Sequence, residues 1–183
     1  ITDIANNSLT FLSNRESYKR PNIDRYYGEF TDYEPTENGK VNISMKRVVF
    51  GAKFIAENLP EGKIRIIIED APQLMIVHNQ STIAEDIFIF RNEGGGSKWA
   101  NDNYTETIPV IIVWIKNDGI EIPVASQNIT FTRNKKKEIT IRVNDNGVNN
   151  DVNFNIDTSP MGDDTPLVIE GHGDGTGTIV DPN

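Results

Sequence analysis

The chain of 183 residues contains no cysteine and only two histidines, His78 and His172. The absence of cysteine excludes disulfides, a catalytic thiolate and a zinc–thiolate site. Two imidazoles leave little material for a histidine metal site or a catalytic triad. No apolar run approaches the roughly 20 residues of a membrane-spanning helix. We therefore expect a protein with no metal, no cofactor and no membrane span.

Basic residues are also scarce, because 18 Lys and Arg stand against 27 Asp and Glu and give a formal net charge of −9. Nucleic acids are bound mainly through Lys and Arg on phosphates, so a nucleic-acid partner is not expected. An anionic membrane surface would repel the chain as well. The basic run at 133–137 (RNKKK) lies between two β-like segments and predicts a solvent-exposed hairpin tip.

Leucine is rare, with 5 residues against 25 isoleucines, whereas Asn (21) and Gly (14) are common. Isoleucine prefers strands, leucine is the better helix former, and Asn and Gly form turns. Short apolar segments recur every 8–12 residues or so, and turn signals such as Asn117-Asp118-Gly119 separate them. The pattern predicts an all-β fold, an antiparallel β-sandwich of seven to nine strands with Greek-key, immunoglobulin-like connections.

The segment Val41–Glu57 changes its alternation near Lys46–Arg47, where the apolar positions move from odd to even numbers. A single strand cannot do this, since a one-residue slip turns every side chain to the other face. A bulge or bend would let the segment join one sheet and then the opposite sheet; two separate short strands are the alternative. We expect burial of Val48, Phe50 and Phe54, near Val110, Ile112 and Trp114. A similar change around Ser126–Asn128 predicts a second bulge.

Three parts of the chain follow from this pattern: a lead segment at 1–25, the sandwich at 26–157, and a Gly/Asp-rich tail at 158–183. Leu167–Ile169 and Ile179–Val180 are β-prone islands in that tail. A strand can add to a sheet edge through main-chain hydrogen bonds. We expect that one terminus pairs along an edge of its own sandwich and can exchange between subunits. The alternative is a tail that packs irregularly or is disordered.

Three loops superficially resemble binding motifs, and each lacks a required feature. GHGDGTG at 171–177 contains Asp174, which would repel phosphate, and EGGGSK at 93–98 lacks the Gly-Lys-Ser/Thr order. NDNGVNND at 144–151 fails the EF-hand spacing, because Arg142 would stand at the first ligand position. No catalytic constellation is found, so we expect that the protein is not an enzyme.

The break at Glu93–Asn103 is the longest between apolar segments. Long loops inside compact domains are often functional. Trp99 lies within this loop and Tyr104 follows it, and aromatic side chains at such a place stack on sugars. These two residues are the candidate ligand-binding residues.

Several segments of the chain resemble fimbrillin-type surface proteins of Bacteroidetes. They are Tyr26–Phe30 (YYGEF), Val41–Val49 (VNISMKRVV), Gly51–Phe54 (GAKF), Asn128–Lys135 (NITFTRNK) and the strand-like Glu138–Val143. The resemblance covers about residues 26–143 and implies a transthyretin-like sandwich that is exported to the cell surface or outer membrane. It also implies a fimbrial subunit, tip or anchor in adhesion, with other protein subunits as partners.

A host molecule or a glycan would be the further ligand of such an adhesin. Because the sequence begins at Ile1 and not at Met, we expect that an N-terminal segment, such as a signal peptide or lipid anchor, preceded it. The alternative function is a carbohydrate-binding module of a surface glycan-uptake system, with Trp99 and Tyr104 as stacking residues.

Overall fold

The structure, a computed structural model, describes residues 18–29, 40–143, 155–161, 166–171 and 177–180. Over these residues the chain forms thirteen strands and one 3-10 helix at Gly96–Ala100. The all-β prediction is therefore confirmed. Eight of the strands build the two main sheets, and the others are short or lie near the ends of the chain.

The strands in chain order are β1 (Tyr26–Tyr27), β2 (Lys40–Ser44), β3 (Lys46–Arg47), β4 (Val49–Glu57), β5 (Lys63–Ile68), β6 (Leu74–Val77), β7 (Ile83–Ile89), β8 (Thr105–Ile115), β9 (Glu121–Thr132), β10 (Lys135–Arg142), β11 (Asn155–Pro160), β12 (Pro166–Gly171) and β13 (Gly177–Val180). One main sheet has the order β6-β5-β8-β9 and the other has the order β11-β10-β4-β7.

The two main sheets pack against each other as a sandwich, and alternate residues of their strands fill the space between them. The buried core is formed by Phe50, Ala52, Phe54, Ala56, Ile64, Ile66, Ile68, Ala71, Ile76, Phe88, Phe90, Ile108, Val110, Ile112, Trp114, Ile129, Phe131, Ile139, Ile141 and Val143. The Phe50 ring lies at its centre, with ring centroids 4.4 Å from Phe131, 4.9 Å from Phe90 and 5.6 Å from Phe88. Val48, directly before β4, is also buried, so the burial predicted for Val48, Phe50 and Phe54 is confirmed.

One strand pair departs from the antiparallel prediction, because β4 and β10 run parallel from Gly51↔Lys136 to Glu57↔Arg142. A hairpin joins only antiparallel neighbours, so a parallel pair needs a long crossover. Here the chain between the two strands runs through β5, β6, β8 and β9 of the opposite sheet and through β7 of the same sheet. Short-range sequence patterns carry no signal for such a distant pairing.

The segment 41–57 does change sheets, and strand pairing breaks at Met45 and Val48, on either side of the predicted bend. β3, which contains the bend at Lys46–Arg47, pairs with β1. The prediction was wrong about the first sheet: β2 joins a third sheet of order β13-β12-β2 and not the opposite sheet of the sandwich. The reason is that β12, from the C-terminal tail, supplies the partner of β2.

The β8–β9 hairpin forms at Asn117-Asp118-Gly119 as predicted. Lys116 donates its backbone N–H to Ile120 O at 2.9 Å, and Gly119 has a φ of 86°, which glycine tolerates. The bulge in β9 lies earlier than predicted, because the pairing shifts from Ile112↔Ala125 to Val113↔Pro123. Proline has no N–H for the ladder, which places the irregularity beside Pro123 and not at 126–128.

Segments near both ends of the described chain pair with the sandwich. Arg20 donates its backbone N–H to Asp70 O at 2.8 Å, so the lead segment pairs with the body. β11 pairs with β10 at the edge of a main sheet and crosses the boundary expected at 157/158. The two β-prone islands of the tail fall in β12 and β13, as expected. His172 and the loop at 144–151 lie outside the described residues.

The register of β4 can be tested at Phe54, whose side chain is 0% exposed. Phe54→Ala should lower the free energy of unfolding by about 3–5 kcal/mol, because it removes a buried ring and leaves a cavity. Urea unfolding measures the loss. Ile120→Ala is the control: Ile120 is 56% exposed at the hairpin tip, and its change should stay within about 0.5 kcal/mol. Equal effects of the two substitutions would contradict the register.

Candidate functional site

The predicted loop lies at the end of the sandwich where β7 ends and β8 begins. Gly94, Gly95 and Gly96 have φ values of 96°, 66° and 70°, a left-handed run that side chains disfavour. This turn leads into the 3-10 helix Gly96–Ala100, which carries Trp99. The glycine run, which sequence analysis interpreted only as a break, therefore sets the position of Trp99.

Trp99 is partly buried and packs against the hydrophobic core. Its ring centroid lies 5.7 Å from that of Tyr27, and the two planes are inclined by 57°. The guanidinium carbon of Arg25 lies 5.3 Å from the same indole centroid, within cation–π distance. Burial lowers the pKa of Arg25. One aromatic surface of Trp99 is thus occupied by a cationic group of the lead segment.

Tyr104 has different neighbours from Trp99. Its ring packs edge-on against Phe90, with centroids 5.2 Å apart and planes at 81°. Its hydroxyl donates a hydrogen bond of 2.7 Å to Glu106 Oε1. Burial and this hydrogen bond raise the pKa of Tyr104 above its ordinary value. The ring and the hydroxyl of Tyr104 both serve contacts within the sandwich.

Glu106 is the acceptor at the centre of a half-buried polar network. Arg20 Nη1 donates to Glu106 Oε2 at 2.5 Å, and the backbone N–H of Asn92 donates to Oε1 at 2.9 Å. Burial opposes ionisation of this carboxyl, but the hydrogen bonds from Tyr104 and Arg20 outweigh it, and the pKa of Glu106 is lowered. The Arg20 side chain is 1% exposed, so Glu106 is its counter-ion inside the protein.

Arg133 corrects the prediction that the basic run at 133–137 is a solvent-exposed tip. Its side chain is buried and donates from Nε to Asn101 O at 3.0 Å and from Nη1 to Arg47 O at 2.9 Å. Nη2 donates to Asp102 Oδ1 at 2.7 Å. Backbone carbonyls replace water around the Arg133 guanidinium. Lys135, in the same run, is exposed as expected. Arg133 thereby ties the loop to β3.

A groove of about 520 Å³ lies between the lead segment and the loop. It is lined by Lys19, Pro21, Arg25, Ile89, Phe90, Arg91, Glu93 and Trp99. Arg91 forms ion pairs with Asp70 at 2.7 Å and with Glu93 at 2.8 Å. Of the two predicted residues, Trp99 lines this groove. We call it the Trp99 groove.

Sequence analysis missed the cationic residues of the Trp99 groove. Lys19 and Arg25 lie in the lead segment, whose apolar pattern is weak, and Arg91 follows β7. The one available signal was local: Arg25 directly precedes the aromatic pair Tyr26-Tyr27. The contact of Arg25 with Trp99 joins residues far apart in the sequence, and no periodicity indicates it.

A second groove, of about 630 Å³, lies at the opposite end of the sandwich. Its lining contains no Asp, Glu, Lys or Arg and is rich in amides and hydroxyls: Ala56, Asn58, Leu59, His78, Asn79, Gln80, Ser81, Thr82 and Ile83. His78 directly follows β6, and its Nδ1 lies 2.8 Å from Leu59 O. This imidazole is therefore engaged with the backbone of the neighbouring loop.

Comparisons with protein families, with characterised proteins and with solved structures gave no match. Among the described residues, no three His, Asp or Glu side chains are grouped so that they could hold a metal ion. In the same part of the chain, no helix is both long and apolar enough to cross a membrane.

The Glu106 network predicts a dependence of stability on pH. Glu106→Gln should lower the free energy of unfolding by about 3–5 kcal/mol at neutral pH, because it leaves the Arg20 cation buried without its counter-ion. The pKa of Glu106 is lowered on folding, so its contribution is complete above the ordinary value of 4.5 and is lost as the pH falls through the folded-state pKa. Urea unfolding of both proteins should show the difference shrinking in acid.

The matched control is Glu121→Gln, which breaks the exposed pair with Arg65 on the outer face of the sandwich. That change should stay below about 1 kcal/mol. A difference between wild type and Glu106→Gln that is the same at acid and neutral pH would contradict the assignment.

Proposed function

We propose that the chain is a non-catalytic cell-surface subunit that takes part in adhesion and assembles with further copies of itself by exchanging C-terminal strands. Export to the cell surface or outer membrane and the adhesive role rest on the fimbrillin-type resemblance over residues 26–143. The observation that supports assembly is the position of β11 at the edge of a main sheet.

β11 is bound to the sandwich as an edge strand. It pairs antiparallel with β10 over six residues, from Lys135↔Pro160 to Thr140↔Asn155. Beyond the strand, Met161 donates its backbone N–H to Asn134 O at 3.0 Å, and Arg47 Nη1 donates to Met161 O at 2.6 Å. The attachment is thus a ladder of main-chain bonds with a defined end.

A second copy of the chain carries an identical β11, so another copy is the partner whose strand fits the edge at β10. Every pairing that β11 makes with β10 in its own subunit can be made with β10 of another subunit at the same register. The same holds for β12, which pairs with β2 from Lys40↔Glu170 to Ser44↔Pro166. Exchange of such strands joins subunits through main-chain hydrogen bonds without a new interface.

The second candidate function is a carbohydrate-binding module of a surface glycan-uptake system. The Trp99 groove favours it, because sugar sites combine an apolar wall with a few polar groups. The two functions differ in one measurable respect, since a binding module has no need for strand exchange.

A disulfide that locks β11 to β10 tests the exchange, and the chain has no other cysteine to interfere. Thr140 and Asn155 are directly opposed in the ladder. We expect that wild type and reduced Thr140→Cys/Asn155→Cys form dimers and larger species across a concentration series, measured by light scattering. In the oxidised variant β11 can no longer leave, so the share of dimers and larger species should fall to what exchange of β12 alone supplies.

The two single-cysteine variants under the same oxidising conditions control for disulfides between subunits. If the oxidised double variant assembled as readily as its reduced form, exchange of β11 would be excluded. Wild type that stays monomeric at every concentration would reject self-assembly and leave the binding module as the function.

A further inference from the structure

The main sheet of order β6-β5-β8-β9 has an outer face that is turned away from the core and is largely apolar. In β8 the even-numbered residues from 108 to 114 belong to the core, so the odd-numbered ones from Pro109 to Ile115 point outward, and all four are apolar. Ile67 of β5, directly opposite Ile111, and Met75 of β6 lie on the same side. We call the outward residues of these four strands the β8 face.

The centre of the β8 face is accessible to a partner. Ile111 and Met75 are each 39% exposed, and Pro123, opposite Val113, is exposed as well. A sheet with one face in water alternates apolar and polar residues, whereas a strand that is apolar on both sides is typical of a sheet covered on both faces. From Ile108 to Ile115, β8 is apolar on both sides, so its sequence fits a sheet whose outer face is covered.

The outer face of the other main sheet is different, because ion pairs lie across it. Three pairs join outward side chains of different strands, at 2.8, 3.3 and 2.6 Å: Lys53–Glu138, Lys136–Glu85 and Arg142–Glu57. Polar side chains of this kind are the usual outward residues of a sandwich. The apolar β8 face is therefore a particular property of one sheet.

The size of the β8 face suits a protein partner. β8 has eleven residues and the sheet has four strands, so the face measures up to about 37 Å along β8 and about 19 Å across, an area of at most about 700 Å². Side chains corrugate this surface, so its accessible area exceeds the flat projection. A standard protein–protein contact buries about 800 Å² on each partner, and the β8 face is comparable.

The charged residues of the β8 face are divided between the two strands beside β8. Lys63 and Arg65 lie on β5, and Glu121 lies on β9. Lys63 and Glu121 are both opposite Ile115, one on each side of it. These three are the only charged outward residues of the four strands, so the face is not acidic although the chain has a net charge of −9. Two copies can therefore approach at this face with less repulsion than their net charges imply.

A twofold axis parallel to β8 brings the opposite charges together. Such an axis lays β8 of one copy over β8 of the second copy, and it lays β5 of each copy over β9 of the other. Lys63 then faces Glu121 of the second copy at the same level along the strands, and the apolar side chains around Ile111 meet at the centre. A twofold contact makes every such pair twice, so one match of charges serves both halves. This self-complementarity favours a second copy of the chain over an unrelated protein.

We propose that the β8 face binds the β8 face of a second copy and forms a twofold dimer in which the two sheets pack face to face. This contact goes beyond the exchange of edge strands, since no strand leaves its own sandwich. It also closes after two copies, because both faces are then covered.

Sedimentation velocity of the full chain over a concentration series tests the apolar centre of the contact. Wild type should show a reversible monomer–dimer equilibrium. Ile111→Glu should raise the dissociation constant of the dimer at least about a hundredfold, because it places two like charges at the centre of the contact. Ile83→Glu is the control with the same change of charge. Ile83 is 42% exposed on β7 of the other sheet, so the dissociation constant should stay unchanged.

Two charge variants test the orientation of the contact, and they decide even where Ile111→Glu fails to fold. Lys63→Glu and Glu121→Lys should each weaken self-association at least about tenfold, since like charges then face each other. An equimolar mixture of the two variants should dimerise as wild type does, because every acidic position then faces a basic one.

Three outcomes would overturn the proposal. If Ile111→Glu folded and dimerised like wild type, the β8 face would not be the contact. If the mixture of charge variants stayed monomeric, β5 would not face β9. Wild type without a dimer at any concentration would exclude a second copy and leave a different protein as the partner of the face. The disulfide test of β11, repeated in the Ile111→Glu variant, reports strand exchange alone and so separates the two routes of assembly.

Discussion

Two buried guanidinium groups fix the end of the sandwich on which the Trp99 groove lies. Arg20 is 1% exposed and Arg133 is 5% exposed, and they are the only charged residues that are buried in the described part of the chain. A buried cation is costly unless hydrogen-bonded acceptors surround it. Arg20 uses Glu106 of β8, and Arg133 uses carbonyls of the loop and of β3. The lead segment and the loop must therefore take one arrangement, and the wall of the groove follows from it.

This end of the molecule contrasts with the strands at the sheet edges. Around the Trp99 groove the contacts are between side chains of distant segments, so its geometry depends on the whole fold. β11 and β12 are instead attached through main-chain ladders, to β10 and to β2. The two regions of this small domain therefore depend on different kinds of interaction: side-chain contacts around the groove, and main-chain hydrogen bonds at β11 and β12.

The strands, the Asn-Gly-type hairpin and the change of sheet near Lys46–Arg47 could be predicted, because each depends on alternation or turn chemistry within a dozen residues. The loop with Trp99 was identified by its length. The roles of Arg25 and Arg133 could not be found, because they arise from contacts between segments brought together only by the fold. Arg25 stands next to two tyrosines and Arg133 stands in a basic run. Neither local sequence indicates whether the arginine side chain is buried or exposed.

The parallel pairing of β4 with β10 has a consequence for the order of folding during synthesis. Lys53 of β4 bonds Glu138 of β10, which lies 85 residues further along the chain. Until β10 has left the ribosome, one side of β4 has no hydrogen-bonding neighbour and the core beside Phe54 stays uncovered. Contacts of such long sequence separation slow folding, since a long loop must close first. The β4 edge is therefore completed only when a strand made 85 residues later joins it, and until then it is exposed to chaperones and proteases.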